Sequence, residues 1–133
     1  MTRFVDSNVF VYHLAGDPAY GERARSILKA VQEGEEAVTS SLVISQVCGY
    51  MKWKKKADRI PAFLSLLRSM PSMVKAETTF SDFVRAHEMI GEKGDWGAWD
   101  DYVIAAQMER AGAKEVYSND PDFDGIEGIR RVF

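Results

Sequence analysis

The sequence predicts an α/β domain: a parallel sheet with helices on both faces. Two observations carry this expectation. Short apolar runs alternate with longer segments of helical periodicity along the whole chain, and several of those runs end in an acid or a turn of small polar residues. The first is Arg3-Phe4-Val5-Asp6, followed by Ser7-Asn8. It reads as a buried strand running into a helix, with Asp6 at its carboxyl end, the edge where open α/β sheets bind ligands. An N-cap role for Asp6, its carboxylate accepting from the amides of the next helix, explains the residue equally simply.

The elements follow in order. Val9, Phe10, Val11 and Leu14 predict a short helix that Gly16-Asp17-Pro18 breaks. From Ala19 to Glu33, Ala24, Ile27, Leu28 and Val31 recur at helical spacing, Gly34 is a candidate C-cap, and Ala37-Val38-Thr39 is a second strand. Ser40 or Ser41 then caps a helix to about Trp53, striped by Leu42, Val43, Val47, Tyr50 and Met51, with Gln46 expected to point inward. A further helix from Asp58 carries Ile60, Phe63, Leu64 and Leu67, holds Pro61 in its first turn and stops at Pro71. Met73 to Ala76 is a third strand. Phe80, Phe83, Val84, His87 and Ile90 outline the next helix, with His87 on its inner face or edge, and Gly91 to Gly97 is a loop by composition. Ala98 to Ala111 is helical, Gly112 ends it, Glu115 to Tyr117 is a fourth strand, and Ile129 to Phe133 a fifth.

Bulk properties narrow the classes. The 133 residues suit one domain, residues 1–133, with 46% hydrophobic and 28% charged residues. Lys and Arg total 17 against 20 Asp and Glu, a formal charge of −3, so a polyanion must be met locally or through bound cations. Cys48 is alone and excludes an internal disulfide; His13 and His87 lack zinc-finger spacing. No signal peptide or membrane-spanning run is apparent, and a cytoplasmic protein is expected.

Three acid-bearing stretches recur where strands end or helices begin. Besides Asp6, Asp100-Asp101 open the helix before Ile104 and Met108, one on each side of its apolar face; the helical wheel does not choose between them. Ser118-Asn119-Asp120-Pro121-Asp122-Phe123 follows the fourth strand and is also, by itself, a turn signature. Right-handed crossovers bring strand ends to one edge, so these acids can converge. Carboxylates held together repel unless a cation compensates them, and an oxygen-only donor set suits Mg²⁺ or Mn²⁺. Such a site can activate water for in-line attack on a phosphodiester. The basic run Lys52, Lys54, Lys55 beside Trp53 reads either as a solvated helix end or as a phosphate contact with a stacking surface, and Trp96 or Trp99 are further candidates to guide a nucleic acid.

Over nearly the whole chain the motifs Phe4-Val5-Asp6-Ser7-Asn8, Thr39-Ser40-Ser41-Leu42, Asp101-Tyr102-Val103-Ile104-Ala105-Ala106 and Ser118 to Phe123 resemble the PIN-domain ribonucleases, especially small single-domain toxins of the VapC type. The resemblance implies a three-layer α/β/α sandwich with a parallel five-stranded sheet of order 3-2-1-4-5. It implies Asp6, Asp101 and Asp120 as catalytic, metal-holding acids, choosing Asp101 over Asp100, with Asp122 as an auxiliary metal-site acid and Ser7, Asn8 and Ser118 in support. The activity implied is Mg²⁺- or Mn²⁺-dependent endoribonuclease cleavage leaving a 5′-phosphate and a 3′-hydroxyl, in the toxin of a toxin-antitoxin pair, with an antitoxin partner and a homodimer. One departure stands out: Gln46 occupies the place of the family's usual acid on the third helix. It motivates an alternative, a weak or inactive PIN-like module that binds RNA or a partner protein. A phosphatase with an aspartyl nucleophile would want a second acid two residues after Asp6, where the chain has Asn8.

Overall fold

The computed structural model describes residues 1–94 and 96–133, and the side chains of all of these except residues 92 and 93. Five strands form one parallel sheet: β1 (Arg3–Val5), β2 (Ala37–Ser40), β3 (Met73–Ala76), β4 (Glu115–Tyr117) and β5 (Arg130–Val132). Their order is β3-β2-β1-β4-β5, as the family resemblance implied. The helices are α1 (Ser7–Ala15), α2 (Gly21–Gln32), α3 (Ser41–Trp53), α4 (Ile60–Arg68), α5 (Phe80–Lys93) and α6 (Trp99–Ala111), with short 3₁₀ turns at Ala57–Arg59, Trp96–Ala98 and Pro121–Gly125.

The burial pattern explains the strands' composition. β2 and β4 are buried at every position, whereas the edge strands β3 and β5 are partly open, as expected when helices cover both faces of a parallel sheet. Phe4, Val5, Val38 and Val116 fill the sheet's interior, and Phe10 of α1 meets Phe63 of α4 edge-on at 5.3 Å between centroids. Register fixes what comes next. Val5 pairs with Tyr117, so the residues that follow β1 and β4 emerge side by side. The chain turns to opposite sides of the sheet after these two strands, and a crevice opens at such a switch point.

Local signals act as the sequence suggests at several ends. Gly16 closes α1 at φ +60°, and Ser40, rather than Ser41, caps α3 by accepting from the Val43 amide. α4 closes at Arg68, ahead of Pro71. Two expectations need correction. α5 runs through Lys93 before Gly94 caps it at φ +73°, so Gly91 begins no loop; Asp95 of the expected loop lies outside the described residues.

The inner face of α5 is also different from the one expected. Of the expected stripe Ile90 is buried, joined by Asp82 and Ala86, while Phe80 is 82% exposed and Val84 and His87 face outward. Asp82 is tolerated inside because its carboxylate accepts from Arg110 Nε and Nη2 at 3.0 and 2.9 Å and from the Thr79 amide at 2.8 Å. Similarly, Tyr50 and Leu64, expected on apolar stripes, lie outward on α3 and α4.

Candidate active site

Asp6 does both things its sequence position allowed. It is the N-cap of α1, its Oδ1 accepting from the Ser7 amide at 2.7 Å, and its Oδ2 accepts from Ser118 Oγ at 2.7 Å. Ser7 Oγ and Asn8 Nδ2 stand at 3.5 and 3.4 Å. Ser118, fully buried after β4, is the joint of the site. Its oxygen accepts from Asn8 Nδ2 at 3.1 Å and from the Asp120 amide at 3.0 Å. A hydroxyl has one proton to give, and with two donors already facing the oxygen that proton points at Asp6. Asn8 Oδ1 in turn accepts from the Asn119 amide at 3.2 Å. The ends of β1 and β4 are thereby locked together through polar groups alone.

Asp101 enters from the first turn of α6 and is 8% exposed, whereas Asp100 beside it is exposed. Of the two acids beside the helix's apolar face, it is Asp101 that is buried. Asp120 caps the 3₁₀ turn, its Oδ1 accepting from the Asp122 amide at 2.9 Å. One carboxylate oxygen from each of Asp101, Asp120 and Asp122 lies within 4.8 Å of the others. Asp6 lines the same open cleft of about 450 Å³, together with Ser7, Asn8, Gln46, Trp99 and Asp100.

The acids' electrostatics follow from this crowding. Burial pushes the Asp6 carboxyl above its ordinary range; hydrogen bonds from Ser118 and Ser7 oppose the shift, and the charge of Asp120 adds to it. Asp101 is pushed up to about 8 by burial first, then by the neighbouring Asp120, Asp6 and Asp122. No Lys or Arg among the described residues lines the cleft. A concentration of mutually repelling hard oxygens, buried at Asp6 and Asp101 and open at Asp122, with no internal cation among the described residues lining the cleft, is the donor set that a Mg²⁺- or Mn²⁺-sized ion satisfies. The residues fit such an ion.

Gln46 takes an unexpected partner. Its Nε2 donates to Asp100 Oδ2 at 2.9 Å, and its buried Oε1 has no hydrogen-bond partner among the described residues. No motif or periodicity pairs these residues, which stand 54 positions apart. Lys52, Lys54 and Lys55 are exposed at the far end of α3, and none lines the cleft; Lys54 Nζ lies 4.6 Å from the Trp53 ring centroid.

The PIN domain family model matches residues 3–129. No curated protein sequence matches it significantly. Among solved structures, similar folds occur in Mycobacterium tuberculosis VapC20, a toxin that cleaves the sarcin-ricin loop (TM-score 0.76, 16% identity, covering 98% of this chain and 99% of that one). Another is VapBC2 from Rickettsia felis bound to a fragment of promoter DNA (TM-score 0.74, 16% identity, 99% and 98% covered). FitAcB from Neisseria gonorrhoeae also matches (TM-score 0.69, 17% identity, 100% and 97% covered). With the family model spanning nearly all of the sequence and the fold shared with VapC toxins, the chain belongs to the PIN domain family.

Proposed function

We propose that this protein is a Mg²⁺- or Mn²⁺-dependent endoribonuclease, the toxin of a toxin-antitoxin pair. The observation that carries the reading is the convergence of Asp6, Asp101, Asp120 and Asp122 on one cleft at the switch point of a PIN-type sheet. A similarly folded protein is a toxin that cleaves the sarcin-ricin loop. Asp6, Asp101 and Asp120, with Asp122 in an auxiliary place, would hold the cation, which when bound supplies water activation and charge neutralisation at a phosphodiester. The chain's own groups prepare for this. Ser118, Asn8 and Ser7 hold the Asp6 carboxylate in one orientation. Asp101 keeps a proton at neutral pH in the metal-free cleft, so binding a cation releases it.

Partners belong to the same reading. Similar folds occur in toxin-antitoxin complexes, and Tyr50, Trp53 and Leu64 give α3 and α4 exposed apolar side chains for an antitoxin to cover. Phe80, Phe83 and Val84, at helical spacing on the outer side of α5, suit packing against a second copy of the chain. No helix among the described residues is long and apolar enough to cross a membrane, in keeping with a cytoplasmic role.

The second reading, a binding module without cleavage, is favoured by Gln46, which offers the cleft an amide already engaged with Asp100. The experiment that separates them is incubation of end-labelled mixed-sequence RNA with the purified protein and its Asp101→Asn variant in Mg²⁺, Mn²⁺ or EDTA. Cleavage that requires metal and disappears in the variant supports the nuclease. Binding without cleavage, by folded protein free of copurified inhibitor, supports the module.

A further inference from the structure

Trp99 belongs to two features at once. It lines the acidic cleft, and its ring runs near-parallel to two others: Trp96 at 6.1 Å between centroids and 23° between planes, and Phe83 at 6.3 Å and 21°. Trp96 is 57% exposed, with the His87 ring 5.6 Å away. A chain that leaves an indole so open, near-parallel to a second indole at the mouth of its cleft, presents flat π surface to whatever enters.

The charge of the cleft selects the occupant. Five aspartates line it, and no Lys or Arg among the described residues does, so a nucleic acid strand gains no attraction there from cationic side chains. The bound cation can offset one phosphate's charge; holding the strand falls to contacts that do not depend on charge. Base stacking is such a contact, and every base has a face to offer.

We propose that Trp96 and Trp99 form a stacking platform for an unpaired base of the RNA strand whose backbone enters the acidic cleft. The inference rests on the nuclease reading and adds to it a substrate feature: a single-stranded nucleotide beside the scissile bond. A paired base, already stacked within a duplex, cannot be shared with the indoles. The platform therefore discriminates by strandedness and tolerates any sequence.

The test uses the full-length protein and a short fluorescent single-stranded RNA, with binding followed by anisotropy in EDTA and cleavage followed in Mn²⁺. Trp99 packs partly on the core, so Trp96 is the residue to change. Trp96→Ala should weaken binding roughly ten-fold and raise KM with little change in kcat, while Trp96→Phe should keep most of the affinity. Trp96→Leu separates stacking from simple apolar contact: it should bind RNA as poorly as Trp96→Ala, at the same molecular mass by light scattering. If Trp96→Leu binds RNA as well as wild type, or if Trp96→Ala changes only the mass, a second copy covers the indole and the proposal is wrong. RNA cleavage that Asp101→Asn abolishes and Trp96→Ala leaves unchanged overturns the platform alone. A wild-type protein that neither binds nor cleaves RNA overturns the nuclease reading with it.

Discussion

Gln46 Nε2 donates to Asp100 Oδ2 across 2.9 Å, tying the second turn of α3 to the first turn of α6 at the rim of the acidic cleft. A carboxylate only accepts, so this bond fixes the amide with its oxygen turned away from Asp100. The residue that the resemblance sets in place of an acid is thus held by an acid that the resemblance did not select. Gln46→Glu replaces the donor with a second carboxylate facing Asp100. The metal-free variant should lose roughly 1 kcal/mol of stability, and its Mg²⁺ affinity should rise as the added charge is compensated. Thermal melts with and without Mg²⁺ read both effects.

Ser118 is the hydroxyl through which β4 controls Asp6. Ser118→Ala removes the 2.7 Å donor to a carboxylate only 4% exposed, leaves the Asp120 amide without its acceptor, and leaves Asn8 Nδ2 only the 3.4 Å contact to Asp6. The expected cost is about 1–3 kcal/mol, measurable as a lower denaturant midpoint with an unchanged m-value. RNA cleavage should fall further than the loss of stability explains, because Asp6 Oδ2 loses its shortest donor and the carboxylate is held only through Ser7 and Asn8.

Asp101 makes the metal-free protein sensitive to pH. Its carboxyl is raised from 3.8 to about 8 in the fold, so between those values the folded chain holds a proton that the unfolded chain has lost. The Asp101 contribution to stability therefore falls as pH rises through this window. Asp101→Asn should melt higher than wild type at pH 8 in EDTA, with the difference shrinking toward pH 5. Wild type should bind Mn²⁺ more tightly as pH rises, while the variant should have lost most of that affinity.

Asp82 behaves in the opposite sense. Burial pushes its carboxyl up, but hydrogen bonds from Arg110 and Thr79 outweigh burial and hold it below the ordinary range. Its contribution is present at neutral pH and lost in acid, as the carboxylate takes up its proton. Arg110→Ala strands the buried carboxylate and should cost about 1–3 kcal/mol at pH 7, discounted because the guanidinium is partly exposed. Urea melts at pH 7 and pH 3 should show that cost shrinking in acid.

These same residues show what a sequence discloses. Asp6, Asp101 and Asp120 were legible because an acid after a buried strand, or beside a helix's apolar stripe, is costly without a partner, and the order of the motifs located all three. The face of α5 was not. Phe80, Phe83, Val84, His87 and Ile90 make the better apolar stripe, yet of these Ile90 alone is buried, and Asp82 and Ala86 turn inward with it. A hydrophobic wheel does not register that Thr79 and Arg110 will satisfy a buried acid from positions outside the stripe. The Gln46 to Asp100 bond was hidden for a related reason: it depends on how α6 is seated against α3, which is tertiary information, whereas the local Trp96 to Trp99 stack forms on a 3₁₀ turn where composition reads as loop.

If four carboxylates share a divalent cation, Mn²⁺ can be located among them by its anomalous scattering in crystals of the protein. A peak bounded by Asp6, Asp101, Asp120 and Asp122 is expected, and it should be absent from crystals of Asp101→Asn. A folded wild-type protein whose cleft stays empty in excess Mn²⁺, or whose peak persists unchanged in the variant, would contradict it.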